Sequence, residues 1–436
     1  MLKEIEMIKI ASLLCLLFLI AQAKSGEKRD VSSHYKTKDH EIYVGTVETR
    51  PSTTTKTFFQ VYSQKKHLLN DSASPLLIWV DGETGCSGVN TAHYYFGPFQ
   101  VRNNSQQAQE LYPNPNAFTD FAHILIFDQP VGTGFSVVND FNYTNTSQEA
   151  AKDFEASLVD FFQLFPELKR NPLYLFGEGV GGHFIAVFAR HLRKNEATTG
   201  IKLKGIVFND AWIDPLNQGI EIAKTSYYAG IVSMFGRNEF HNTETDFFLH
   251  IKEEKYQEAS AEQMRMLGSY TLKTGTQYFN WRLPYSKIIP DEHNPITLWL
   301  NSSTTKTAFG ISDSFVYSRC NTDIDYAMML DQFHSVSGQL SSLISDLPIL
   351  LMQGQDDMLV NVDGAFNMIV ELNWPDTEKW SRVPKKFLKS PDSQVLGYSK
   401  TFNFFTFCFL NNAGFYLGQD QPSSAYQMIR QWLLSL

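Results

Sequence analysis

The stretch LYLFGEGVGGHF, residues 173–184, decides how the rest of the chain is read. Residues 173–177 form an apolar run with the composition of a buried strand. His183 and Phe184 open a segment, continuing through HLRK, with apolar residues at helical spacing. Between them lie Gly177, Glu178, Gly179, Val180, Gly181 and Gly182. A strand, a sharp Gly-x-x-x-Gly turn and a helix together make a nucleophile elbow: the strained turn lifts its middle residue clear of the sheet while helix N–H groups face the reacting carbonyl. That middle position calls for a serine, and here it is Gly179. Glycine-rich strand-to-helix turns are common, so the elbow has to be judged by its surroundings.

Outward from the elbow, PLLIWV (75–80), HILIFD (123–128), GIVFND (205–210), PILLMQG (348–354) and FNFFTFCFL (402–410) are continuous apolar runs. Continuous rather than alternating apolarity predicts strands covered on both faces by helices. SQEAAKDFEASLVDFFQLF and GHFIAVFARHLRK supply helical patterns between them, the first acidic early and the second basic at its end, as helix termini favour. Earlier, EIYVGTVETR and KTFFQVYSQ alternate like an antiparallel pair. The class is therefore α/β, a mostly parallel central sheet with helices on both faces. The alternation stops after NDAWIDP. Residues 216–315 read as helices and polar loops with no linker at either boundary, which predicts a helical cap inserted between core segments 24–215 and 316–436.

The 436 residues carry a net charge of -9 and no basic run, which argues against nucleic acid as a partner. IASLLCLLFLIAQA ends in Ala21-Gln22-Ala23, a small-x-small pattern, so residues 1–23 read as a secretory signal peptide too short to span a bilayer. No later stretch suits a membrane span. Asn70, Asn103, Asn142, Asn145 and Asn301 each open an Asn-x-Ser/Thr sequon, which on a secreted chain predicts N-glycosylation. Of four cysteines, Cys15 leaves with the signal. Cys86, Cys320 and Cys408 then allow one disulfide and one thiol, and Cys408 in its apolar run reads as a core thiol. No cofactor and no metal are expected.

Four ordered segments resemble the serine carboxypeptidase family. LLIWVDGETGCSG resembles its Leu-Trp-Leu-Asn-Gly-Gly-Pro-Gly-Cys-Ser-Ser stretch, and IFDQPVGTGFS nearly repeats its Glu-Gln-Pro-Val-Gly-Thr-Gly-Phe-Ser. GQDDMLVN is similar to the segment around the family's catalytic aspartate, and NNAGFYLGQDQP to Gly-Ala-Gly-His-Met-Val-Pro-x-Asp-Gln-Pro. The matches run from about residue 40 to the C-terminus, weakest in the cap, and within the family they look closest to the retinoid-inducible serine carboxypeptidase-like branch. The resemblance implies an α/β-hydrolase fold and a Ser-His-Asp triad acting on C-terminal peptide bonds. It also implies a Cys86–Cys320 disulfide, since both match paired family cysteines.

Carried over position by position, the triad is incomplete. The acid is retained as Asp357, the nucleophile position is Gly179, and the histidine position is Phe415. No substitute is in reach: the last histidine, His334, precedes Asp357, whereas the base follows the acid on this fold. His183, Ser87 and Ser136 match ordinary, non-catalytic family residues. The family's Asn-Gly-Gly, which holds the substrate carboxylate and serves the oxyanion hole, is here Asp81-Gly82-Glu83. With Glu178 and Val180, these are the expected substrate-side positions. Three acids there should repel an anion. The reading that follows is a secreted or lysosomal/vacuolar protein of carboxypeptidase type without catalysis, acting by binding a peptide or protein ligand. The alternatives are an active carboxypeptidase or other hydrolase with an atypical site, and a secreted protein that uses the fold only as a body.

Overall fold

The computed structural model describes residues 31–436 apart from 82, 105–108, 140, 288–292, 373 and 391. The expected signal peptide and Gly82 lie outside the described residues. The main sheet has eleven strands, in the spatial order β1 (Val31–Lys36), β2 (Glu41–Arg50), β3 (Thr55–Tyr62), β7 (His123–Phe127), β4 (Leu76–Val80), β8 (Leu173–Glu178), β9 (Leu203–Asn209), β10 (Ile349–Gly354), β13 (Phe405–Leu410), β12 (Val395–Phe402) and β11 (Lys386–Lys389). The block from β7 to β13 is parallel, and antiparallel strands flank it on both sides. A separate ribbon pairs β5 (Phe99–Asn103) with β6 (Gln109–Pro113).

The continuous apolar runs are explained by two cores, one on each face. Ile78, Leu175, Ile206, Phe208 and Leu351 point into one with Phe154, Phe161 and Phe188. Their neighbours Leu77, Trp79, Phe176, Val207 and Leu350 point into the other with Tyr95, Phe118 and Trp432. Alternate side chains of a strand face opposite ways, so a strand covered twice must be apolar at nearly every position. The first core is closed by α1 (Ser147–Leu164) and α2 (Val180–Thr199), and the Thr146 hydroxyl caps α1 by accepting from the Glu149 amide at 3.2 Å. Between β9 and β10 the chain is helical, with α3 (Met234–Lys252) packed on α4 (Tyr256–Thr274), then the short α5 (Pro295–Leu300) and α6 (Ser303–Phe309). The chain ends in α7 (Pro422–Leu434).

One expected strand is two. FNFFTFCFL is broken at Asn403, whose φ of 50° turns β12 into β13 as a tight hairpin. Asparagine tolerates that left-handed conformation, so an aromatic run that looks continuous changes direction. The serines set aside as non-catalytic are tied down: Ser87 Oγ donates to Asp128 Oδ1 at 2.6 Å, and Ser136 Oγ to the Asp128 carbonyl at 2.7 Å. His183 is fully buried against Asp331, Nε2 to Oδ2 at 3.2 Å.

The sequons are not equivalent. Asn70, Asn103, Asn142 and Asn145 are exposed. Asn301 is half-buried, its Nδ2 donates to the carbonyls of Thr297 at 3.2 Å and Tyr317 at 2.8 Å, and its Oδ1 accepts from the Tyr317 amide at 2.9 Å. A glycan on Nδ2 removes a donor hydrogen and displaces these contacts. In glycopeptide mapping of protein expressed through a secretory pathway, Asn301 is expected to be less modified than the exposed sites; full occupancy at Asn301 would contradict this packing.

Candidate functional site

β8 ends at Glu178 and α2 begins at Val180, leaving Gly179 as the single residue that turns the chain, at φ 50° and ψ -122°. Its N–H donates to the Asn209 carbonyl at 3.0 Å and its carbonyl accepts from the Trp212 amide at 2.8 Å, so the turn is held from β9 and the loop after it. The flanking glycines are required by contact. A Cβ at Gly177 would lie 2.5 Å from the Gly181 oxygen, and one at Gly181 would overlap the Asp81 carbonyl. At Gly182 it would collide with Ala211. The elbow geometry is intact and its tip has no side chain.

Asp357 follows β10 and is completely buried, its carboxylate receiving the amides of Leu359 (2.8 Å) and Val360 (3.2 Å). Asp210, which directly follows β9, is buried close to it. Asp210 Oδ1 accepts from the Gly354 amide at 2.7 Å and from the Gln353 side chain. Burial pushes both carboxyls well above the ordinary range, so the pair retains a proton. Phe415 is buried, donates its amide to the Phe279 carbonyl at 2.7 Å and packs against the rings of Phe279 (5.5 Å) and Tyr416 (4.9 Å). One apolar cluster unites Phe415, Val360, Trp212 and Phe333, with Val180 packed on it. Val180, next to Gly179, and Val360, three residues past Asp357, share this cluster with Phe415, so the elbow tip, the buried acid and the aromatic ring lie in one region.

The three acids differ in their surroundings. Glu178 is buried, and burial first, then Asp81 and Glu83, push its carboxyl well above the usual range, which disfavours its charged form. Asp81 Oδ2 accepts from the Thr91 hydroxyl and, at 3.5 Å, from the Trp79 indole. Glu83 accepts the Tyr416 hydroxyl at 2.9 Å and pairs with Arg319 at 3.6 Å. Arg319 adjoins the Cys86–Cys320 disulfide, which is formed in the structure, while Cys408 is a buried free thiol. Glu83, Tyr94, Phe279, Asn280, Arg319 and Tyr416 line a cavity of about 730 Å³. Sequence reading missed Arg319 and Tyr416, although each directly follows or precedes a flagged position.

The buried carboxyls set a pH dependence. Glu178, Asp210 and Asp357 are raised well above the ordinary range, and Asp128 and Glu244 are pushed up to about 7, in each case chiefly by burial. A carboxyl raised in the fold keeps its proton where the unfolded chain, titrating near about 4, has lost it, so stability falls as pH climbs towards the folded value. Burial lowers His93 and His123 to about 4, which acts oppositely as pH falls below the unfolded value of about 6.5. Above that pH these imidazoles are neutral in both states and only the carboxyls matter. The melting temperature is expected to fall between pH 6.5 and 8.5, by an amount equivalent to about 1.4 kcal/mol per pH unit for each proton retained. Glu178→Gln should flatten that decline; a profile already flat in the wild type would show that these groups ionise freely.

The sheet order, the elbow after β8 and the buried acid after β10 define an α/β hydrolase. The serine carboxypeptidase family model matches residues 33–435, and the chain belongs to that family. It is 26% identical to a venom serine carboxypeptidase of Apis mellifera over 95% of this chain and 89% of that protein. It is 24% identical to serine carboxypeptidase-like 50 of Arabidopsis thaliana over 89% and 87%. Among solved structures, a prohormone-processing carboxypeptidase of Saccharomyces cerevisiae superposes with a TM-score of 0.81 at 19% identity, covering 91% of this chain and 92% of that one. Among the described residues, no helix is long and apolar enough to cross a membrane.

Proposed function

We infer that this chain is a serine carboxypeptidase-like protein without peptidase chemistry, which uses the cavity beside its vestigial triad to bind a peptide or protein ligand. The observation that carries this reading is Gly179, which keeps the elbow conformation while offering no nucleophile. Phe415 in its aromatic cluster supports it, because no base is available to activate a replacement. Arg319, with Tyr94 and Tyr416 beside it, gives the cavity a cation and hydroxyls with which to hold a polar ligand. The reading includes secretory or lysosomal/vacuolar routing, removal of residues 1–23, glycosylation at exposed sequons and a cap formed by residues 216–315.

The purified wild type is expected to show no labelling by a fluorophosphonate serine-hydrolase reagent and no turnover of carboxypeptidase or ester substrates. Gly179→Ser alone should stay inactive, since members of a triad act as a unit. Rapid turnover by that single variant would reveal another base and overturn the reading. Serine at φ 50° also costs about 1–3 kcal/mol in backbone strain, offset by up to about 1 kcal/mol from glycine's freer unfolded chain. Its melting temperature should drop by a few degrees with unchanged secondary structure.

A further inference from the structure

Away from the triad, a second cavity of about 290 Å³ lies between the antiparallel flank of the sheet and the helices α5 and α6. Its wall is mainly apolar and aromatic, including Ile42, Val44, Tyr62, Phe99, Trp299 and Phe309. Among the described residues, none of those lining it is a lysine, arginine, aspartate or glutamate, and none lines the larger cavity near Phe415. The wall is fixed in advance. The Tyr35 hydroxyl donates to the Ala308 carbonyl, Ser32 Oγ donates to the Phe309 carbonyl at 2.7 Å, and the His93 and Trp299 rings meet edge-on at 4.7 Å. A concave, mainly apolar space of this size with a few polar groups is how small-molecule sites are built.

His93 is the polar group that the fold does not explain. It lines the cavity at 4% exposure and approaches the Phe99 backbone, yet neither ring nitrogen completes a hydrogen bond among the described residues. With its proton on the nitrogen nearer Phe99, whose carbonyl only accepts, the neutral imidazole presents the other nitrogen as an acceptor. Burial lowers the imidazole to about 4, which keeps that acceptor available at neutral and mildly acidic pH. Gln60 complements it: its Oε1 takes the Tyr62 hydroxyl at 2.8 Å, and its amide nitrogen remains as a donor in the same wall. Besides Gln109, Ser302, Thr304 and Thr305, the wall thus offers a buried acceptor and a buried donor in largely apolar surroundings, groups that a hydroxyl can satisfy. A carboxylate would find no cation, and a pure hydrocarbon would leave His93 unpaired.

We propose that this cavity is a second binding site, for a neutral and largely apolar alcohol or phenol whose hydroxyl is held by His93 and Gln60. The site is independent of the triad region, so it stands whether or not the larger cavity binds a peptide. The test is calorimetric titration of the purified full-length protein with 4-pentylphenol, pentylbenzene and 4-pentylbenzoate. The phenol is expected to bind at least tenfold more tightly than the hydrocarbon, with no detectable binding of the benzoate. His93→Phe, which keeps an aromatic ring at slightly larger volume and removes the acceptor, should bring the phenol down to the hydrocarbon's affinity. Absence of phenol binding, equal affinity for phenol and hydrocarbon in the wild type, tighter binding of the benzoate, or unchanged phenol affinity in His93→Phe would each overturn the proposal. The three-ligand comparison on the wild type decides the matter if His93→Phe does not fold.

Discussion

Gly181→Ala is expected to leave little folded protein, although it adds one methyl group. The new Cβ would overlap the Asp81 carbonyl and lie 2.6 Å from the Val80 oxygen, both backbone atoms at the end of β4. Backbone cannot rotate away as a side chain does, so α2 and the sheet must separate, disturbing Gly177, which already faces the Gly181 carbonyl at Cβ distance. Overpacking of this kind costs about 3 kcal/mol or more, a large share of a stability of roughly 5–15 kcal/mol. The comparison is Gly268→Ala in α4, where nothing lies within 4 Å of the added carbon and a gain of about 0.5–1 kcal/mol is expected from helix propensity. Soluble yield and circular-dichroism melts of the two variants decide it. A Gly181→Ala protein melting with the wild type would mean that α2 does not press on β4 as described.

The second large effect is loss of the Cys86–Cys320 bond. The cysteines are 234 residues apart in sequence, so the cross-link closes a long loop in the unfolded chain. Entropy models and measured native disulfides place such a loss at about 2–5 kcal/mol. The Cys86→Ala/Cys320→Ala variant should melt several degrees lower. It should also loosen Arg319 and Glu83, which sit beside the bond, so that the larger cavity is perturbed before the sheet is. An unchanged melting temperature would show that the two segments are held by packing alone.

The fold was legible wherever its causes were local. The parallel strands announce themselves because burial on both faces makes them apolar at every position, and the elbow because only glycine fits at Gly177, Gly181 and Gly182. β12 was hidden because VLGYSKTF is half-buried and mixed in polarity, and because one asparagine reverses the aromatic run that follows. At the site, Gly179, Asp357 and Phe415 could be placed by motif. The charge state could not, since Glu83 is balanced by Arg319 from a distant part of the chain and the charged form of Glu178 is disfavoured by burial. Charges read from sequence carry signs but not partners.

The position of Cys320 also sets a timetable. At a ribosomal rate of about 5–20 residues per second, the 234-residue separation means Cys86 waits roughly 10–50 s for its partner to be made. β10, β13 and Phe415 come later still. During that interval the nascent chain carries the elbow without the aromatic cluster that packs on Val180, and Cys86 as a free thiol. The last quarter of the polypeptide therefore acts on the earlier part much as a closing hand, and a ribosome that stalls before it leaves seven of the eleven strands made and β9 as an open edge.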